Sequence, residues 1–261
     1  MNPDACAAGF DRWLADLEMR HLRDLTTAEV ARALRALSST YVERRARLGG
    51  RGAFDSAGKR AAYALYYAPR RYAMVRAILT GLAAPTGPRA IVDLGCGTGA
   101  AGAAWACHAG PGSTVQGLDS HPWAVDEARA TYRAFALAGE ARRGSVTVAG
   151  PARDGRRRRS PADGIVLSYV ANELDDAARA PLLDHLLATA AAGTAVLVLE
   201  PLSRKTSPWW PAWTRAVEAA GGRQDEWRVR LAPPPLVVAL GRAAGLDPLE
   251  GTGRTLWLAR G

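Results

Sequence analysis

The sequence has little cysteine and almost no lysine. Cys6, Cys96 and Cys107 are the only cysteines in 261 residues, with no CxxC pair and no His/Cys ligand spacing. That pattern excludes a structural zinc and points to a reducing, cytoplasmic setting. Long apolar runs are also missing. Thr194–Leu199 is among the longest, far short of the roughly 20 residues that span a bilayer, so no membrane span is expected. The N-terminus, MNPDACAAGFDRW, lacks the basic-then-apolar layout of a signal peptide. Lys59 and Lys205 are the only lysines, so arginine carries the net charge of +9 and the pI near 10.1. Such basicity suits an anionic partner. With the abundant alanine, glycine and proline, it also suits a GC-rich coding bias.

The hydrophobic share of 48% is enough for a buried core, and the length fits one large domain or one domain with an appendage. One block of charge is local. Arg142, Arg143, Arg153 and Arg156–Arg159 lie between Ala141 and Ser160 against the single acid Asp154. They form either an anion-binding loop or a solvated one.

Residues 1–84 read as a helical cover. Thr26 and Glu29 make a capping-box pattern ahead of Val30, Leu34 and Leu37, which recur at helical spacing. Glycines at 48–53 break that helix. A tyrosine-bearing helix over Gly58–Ala68 is predicted to end before Pro69, and another follows through Tyr72, Val75 and Leu79. From about residue 85 to 261, short apolar strands alternate with helices. Strands are expected at Arg89–Leu94, Ser113–Leu118, Ser145–Ala149, Gly164–Tyr169, Thr194–Glu200 and Thr255–Ala259. Helices are expected through Trp105, over Pro122 to about Ala138, over Ala177–Ala190 and over Leu236–Ala244. This is the pattern of an α/β, doubly wound, mostly parallel sheet, in which ligands bind beyond the carboxyl ends of the strands. Residues 201–235 read as an insertion over that edge.

The stretch IVDLGCGTGAAG, Ile91–Gly102, follows the first of these strands. Gly95-x-Gly97-x-x-Ala100 formally fits a dinucleotide fingerprint, but Asp93 at the mouth of the site would repel a pyrophosphate. A carboxylate there favours a cationic ligand. S-adenosylmethionine meets the condition, with an ammonium, a sulfonium and no phosphate. Asp119, closing the second strand, is placed to accept hydrogen bonds from ribose hydroxyls.

These residues, together with D-x-x-x-x-S-x-V-x-x-E-L at Asp163–Leu174, resemble the class I S-adenosylmethionine-dependent methyltransferases from about Arg89 to Arg260. The resemblance implies a Rossmann-like, seven-stranded sheet with an N-terminal helical extension. It implies a cofactor site at Asp93, Leu94, Gly95, Cys96, Gly97, Asp119, Ser120, His121 and Ser168. The usual adenine contact after the third strand is replaced by Gly150-Pro-Ala-Arg-Asp154, which leaves that contact unassigned. More narrowly, YALYYAPRRYAMV (Tyr63–Val75), SYVANEL (Ser168–Leu174) and LEPLS (Leu199–Ser203) resemble the small-ribosomal-subunit methyltransferase-like family. Its mitochondrial members carry a cysteine cluster for an iron–sulfur centre. This chain has no such cluster after Cys107, and no metal is expected.

Methyl transfer is an in-line displacement that depends on positioning. Tyr169, Asn172 and Glu173 sit where an acceptor should lie, and Glu173 is the candidate to orient or deprotonate it. Its other use is as a carboxylate at a helix N-terminus. Trp209 and Trp213, one helical turn apart, form a core stripe or an aromatic wall for the acceptor, helped in the second case by Arg204 and Lys205. Tyr63 and Tyr67 either cap the cofactor or pack between helices. Two functions follow. One is a methyltransferase acting on RNA, a protein or a small molecule, with RNA, such as ribosomal RNA of the small subunit, slightly favoured over a small molecule. The other is a ribosome-assembly or RNA-binding factor that keeps the pocket without turnover.

Overall fold

The computed structural model describes residues 3–43, 54–87, 89–146, 162–203 and 207–259. The first elements are helices α1 (Pro3–His21), α2 (Thr27–Glu43), α3 (Ala57–Ala62) and α4 (Ala68–Gly81), with a π-helical turn at Tyr63–Tyr67 between the last two. The expected capping box is present: the Thr26 N–H donates to the Glu29 carboxylate at 2.8 Å, and the Glu29 N–H donates back to Thr26 Oγ1 at 3.3 Å. The expected break at 48–53 lies outside the described residues.

The tyrosine helix does not end at Pro69. The Ala68 N–H reaches back to the Tyr63 carbonyl, a five-residue step that defines the π turn. Pro69 then sits in the first turn of α4, where a missing N–H costs little.

There follow β1 (Ala90–Leu94), α5 (Ala100–Ala109), β2 (Thr114–Asp119), α6 (Pro122–Ala134) and β3 (Ala138–Arg143). After these come β4 (Gly164–Ser168), α7 (Asp176–Ala191), β5 (Ala195–Glu200), α8 (Trp210–Ala219), β6 (Arg223–Arg230), α9 (Pro235–Ala244) and β7 (Glu250–Leu258). The strands form one seven-stranded sheet in the order β3-β2-β1-β4-β5-β7-β6. All neighbours are parallel except those of β7, which runs antiparallel to β5 and β6. The Rossmann-like, doubly wound fold with its N-terminal helices is therefore present.

Two strand expectations need correction. The third strand is β3 at 138–143, not Ser145–Ala149; Ser145 and Val146 are in no strand and 147–149 lie outside the described residues. Residues 201–235 are not a plain insertion, because they contain α8 and β6, and β6 belongs to the sheet. Both missed strands, AGEARR and RQDEWRVR, are the edges of the sheet. An edge strand is half solvated, so polar side chains remain and no apolar run marks it.

The central strands are buried on both faces. Ile91, Val166, Leu197 and Leu199 point into a core shared with α1–α6 and α9, whereas Leu94, Ile165, Leu167, Val196 and Val198 point into a second core with α7 and α8. Trp13 of α1 is fully buried, with its ring centroid 5.6 Å from Phe135 and 6.1 Å from Tyr72. Burial of a side chain of this size stabilises by about 2–3 kcal/mol. α1 is also tied down by Glu127 of α6, which accepts from Arg20 at 2.5 Å and faces His21 at 3.1 Å. A disulfide between Cys6 and Cys107 links α1 to α5, a pairing that the cysteine count did not anticipate. Among the described residues no helix is long and apolar enough to cross a membrane.

Candidate functional site

The strand order reverses between β1 and β4, and the crevice at their carboxyl ends is the place where such sheets hold ligands. The glycine turn leaves β1 at that point. Gly95 and Gly97 have φ of 67° and 51°, a region that side-chain-bearing residues rarely adopt. A Cβ on Gly95 would lie 2.4 Å from Val170, and one on Gly97 would lie 3.0 Å from the Tyr63 hydroxyl. The N–H groups of Gly95 and Cys96 both donate to the Leu118 carbonyl, and the Gly97 N–H donates to Asp119 Oδ2 at 2.9 Å. Asp119 Oδ1 accepts the His121 N–H at 2.8 Å. The acid after β2 thus braces the turn after β1.

Asp93 is not exposed at the mouth. It lies beneath the turn, 1% exposed, with one oxygen held by α5. Its Oδ2 accepts the Gly102 N–H at 2.8 Å, and only glycine leaves room there: a Cβ on residue 102 would be 3.0 Å from that oxygen. Asp93 Oδ1 meets no hydrogen-bond donor. Burial pushes its carboxyl up to about 7, although the Gly102 N–H and the charge of Arg71 both act in the opposite direction. Ser168, at the end of neighbouring β4, is likewise buried with an unpartnered hydroxyl. A buried polar atom without a partner costs about 1–3 kcal/mol, so two beside one crevice fit a polar ligand that completes them.

The other expected cofactor residues divide by face. Leu94 contributes backbone only, since its side chain packs in the α7–α8 core. Cys96 is buried under the turn and its thiol is held well above the usual range by that burial. Ser120 is exposed and its carbonyl accepts from Arg143. The His121 ring stands 5.1 Å from Phe54, and desolvation followed by the charge of Arg60 lowers its pKa, so it is neutral at pH 7.

One residue at the crevice, Phe54, carries no sequence signal, and Arg71 lies unremarked inside the YALYYAPRRYAMV stretch. Phe54 contacts Tyr63, His121 and Trp123 at ring-centroid distances of 4.9, 5.1 and 4.7 Å. As a lone aromatic after a glycine-rich stretch it has no periodicity to reveal it. Arg71 donates to the Tyr63 hydroxyl at 2.5 Å and lies over the rings of Tyr63 and Tyr169. Burial raises the Tyr63 hydroxyl, and the charges of Arg71, Glu173 and Asp119 all act on it. Tyr63 is therefore the point where the N-terminal cover meets both carboxyl-end loops.

On the acceptor side, Tyr169 holds φ of 62° directly after β4, a strained conformation for a tyrosine, and its hydroxyl donates to the Thr252 carbonyl at 3.3 Å. Asn172 is committed elsewhere. Its Nδ2 donates to Glu200 at 2.6 Å, and its Oδ1 accepts from Ser207 Oγ at 2.6 Å and from Trp209 Nε1 at 3.0 Å. Glu200, fully buried, also accepts the Ala171 N–H at 2.8 Å. Asn172 thus fixes the loop after β4 and is not placed to grip an acceptor. Trp209 and Trp213 are buried, edge-on at 4.8 Å, and form the core stripe and not an aromatic wall, because α8 must cover the sheet. Arg204 and Lys205 lie outside the described residues. Glu173 is exposed in a 3-10 turn, and α7 is capped by Asp175, whose carboxylate accepts the Ala178 N–H. The capping role considered for Glu173 is therefore taken.

Among the described residues no group of three His, Cys, Asp or Glu could hold a metal ion, and the one free cysteine, Cys96, is buried. The residues do not fit an iron–sulfur centre.

Among solved structures, the chain is similar to an S-adenosylmethionine-dependent methyltransferase from Aquifex aeolicus (13% identity, 72% of this chain and 89% of that one, TM-score 0.48). It is similar to 1,6-didemethyltoxoflavin-N1-methyltransferase of Burkholderia thailandensis (15%, 90% and 92%, TM-score 0.47). It is also similar to the tRNA (uracil-54, C5)-methyltransferase of Pyrococcus abyssi (18%, 71% and 37%, TM-score 0.43). No curated protein matches it in sequence. The profile of the family described as mitochondrial small ribosomal subunit Rsm22 matches residues 57–219, from α3 and the tyrosine-bearing turn to the end of α8, and the chain belongs to that family.

Proposed function

We propose that the protein is an S-adenosylmethionine-dependent methyltransferase with RNA, and ribosomal RNA in particular, as its acceptor. The observation that carries the reading is the buried Asp93 carboxylate, with one oxygen unpartnered, under a glycine turn braced by Asp119. A buried acid suits the ammonium end of this donor and disfavours a pyrophosphate. When bound, the donor supplies an electrophilic methyl group. The chain then has to hold the ribose at Asp119, exclude water with Tyr63 and Phe54, and present the acceptor from the Tyr169–Glu173 side. Exposed Glu173 is the one carboxylate there placed to take a proton.

The preference for RNA rests on charge and on the family. Arg142 and Arg143 are exposed on edge strand β3, and the remaining arginines of that block lie outside the described residues. The family description names a small ribosomal subunit. Calorimetry with S-adenosylmethionine and with NAD tests the donor, and labelled methyl transfer into fractionated ribosomal RNA, protein and metabolites tests the acceptor. Binding of the donor together with label in small-subunit RNA is expected. Tight NAD binding would sink the donor reading, and label only in metabolites would replace RNA by a small molecule.

A second reading, a ribosome-assembly factor that keeps the pocket without turnover, is favoured by one observation: Asn172, Trp209 and Trp213 are all used structurally, which leaves Glu173 as the acceptor-side candidate among the described residues. Donor binding and co-sedimentation with small subunits, without label transfer to any fraction, would select it.

A further inference from the structure

Strand β6 ends the sheet, with β7 as its one strand neighbour among the described residues. Its ladder to β7 runs without a bulge from Arg223 to Arg230, and RQDEWRVR contains neither proline nor glycine. Proline, bulges and short length are common devices that stop an edge from pairing with another chain, and β6 has none of them. Charge is the remaining device, and here its order matters. Successive side chains alternate between faces, so Gln224, Glu226, Arg228 and Arg230 share one face and Asp225, Trp227 and Val229 the other. Glu226, Arg228 and Arg230 are exposed. Trp227 and Val229 are half-buried against the core on the α4 side, and Trp227 Nε1 donates to Thr255 Oγ1 at 2.9 Å. Asp225 brings no uncompensated charge, because Arg223 of the same strand pairs with it.

An acid followed two positions later by a base is self-complementary when the strand meets its own copy antiparallel. With Trp227 on the two-fold axis, Glu226 lies opposite the partner's Arg228, and Arg228 opposite the partner's Glu226. Sliding the strands two residues one way sets Glu226 against the partner's Glu226, and the other way Arg228 against the partner's Arg228. Like charges directly opposite disfavour both. A one-residue slip would bring the charged face against the half-buried one. Arg228 already meets Glu250 at 3.0 Å in an exposed pair, so in the paired state it lies between two acids.

We propose that β6 pairs antiparallel with β6 of a second copy of this chain, in the register centred on Trp227, and joins the two sheets into one. The carboxyl edges of the two sheets then point in opposite directions, and the two crevices open away from each other. The inference rests on neither the donor nor the acceptor reading.

Exposed ion pairs are individually weak, so the dimer should depend on concentration. Sedimentation equilibrium of the full chain in reductant, which excludes cross-linking through cysteine, should show it. Glu226→Arg and Arg228→Glu should each weaken it by about tenfold or more, since each makes both central pairs like-charged. Both positions are exposed, so the two variants should melt with the unaltered protein. An equimolar mixture of the variants should recover association, because each supplies the charge that the other lacks. A chain that stays monomeric at every concentration, a dimer indifferent to both substitutions, or a mixture that associates no better than either variant alone overturns the pairing.

Discussion

Asp119 accepts the backbone N–H of Gly97 at 2.9 Å, so the acid that ends β2 holds the turn that ends β1. The same carboxylate holds the His121 N–H through its second oxygen. Asp119→Ala should release both donors at once. The expected result is a loss of about 1–3 kcal/mol in urea unfolding and a weakening of donor affinity of tenfold or more by calorimetry. Asp119→Asn keeps one acceptor oxygen and should lose less in both.

Asp93 is expected to make donor binding pH-dependent. Its folded pKa of about 7 lies above the ordinary value of 3.8. Ionising it therefore costs folding stability, a penalty absent below about 4 and fully present above about 7. A bound ammonium favours the ionised form, so affinity for S-adenosylhomocysteine should rise from pH 5.5 to 7, by up to about tenfold per unit. Calorimetry across that range should find the slope in the unaltered protein and a flat, weaker profile in Asp93→Asn. A flat profile in both would rule out Asp93 as the group that meets the cation.

Glu127 contributes acid sensitivity of the opposite sign. Burial pushes its carboxyl up, but hydrogen bonds from His21 and Arg20 more than offset this, and its pKa falls below the usual 4.5. Its stabilisation is present above that value and is lost as pH falls through the folded pKa. Glu127→Gln should lower stability at pH 7 by about 1.5–3 kcal/mol and blunt the acid limb of a thermal-melt series below pH 4.5. If the acid limb is unchanged, the link between α1 and α6 is not electrostatic.

The Cys6–Cys107 bond closes a loop of 101 residues in sequence separation. Loop-closure entropy then gives about 4–5 kcal/mol of stabilisation. Thermal melts with and without reductant should differ by several degrees, and Cys6→Ser should abolish that difference. Identical melts would mean that the two thiols are unbonded in solution.

The N-terminal helices are expected to be a cover and not a separate module, because Trp13, Leu17 and Leu34 have no exposure in the intact chain. A fragment starting near Arg89 should be insoluble or bind the donor poorly. Donor binding by that fragment equal to the whole chain's would argue for an independent unit.

The central sheet and the glycine turn were legible because their physics is local. Apolar runs at β1, β2, β4 and β5 mark strands buried on both faces, and positive-φ glycines mark a turn. The edges β3 and β6 were not, since a half-solvated strand has no such run. Asp93 shows a subtler limit. Sequence places a carboxylate next to the turn, but that it is buried and held by α5 depends on strand register and on the space left by Gly102. Phe54 was invisible for another reason: it reaches the crevice only through the packing of distant elements, whereas Arg71 lies inside the YALYYAPRRYAMV stretch and only its facing towards the crevice was not legible.

The π-helical turn at Tyr63–Tyr67 sets a phase. Removing one residue there, for example Ala64, would let the segment close as ordinary α-helix. The preceding α3 would then rotate by about 100° and retreat by about 1.5 Å relative to α4. Tyr63 would swing off Gly97, and α3 would lose its place beside α2. A one-residue deletion in this turn should therefore be far less tolerated than most point substitutions within it, and natural variation in length should avoid 63–67 and accumulate in the stretches on either side of the helix.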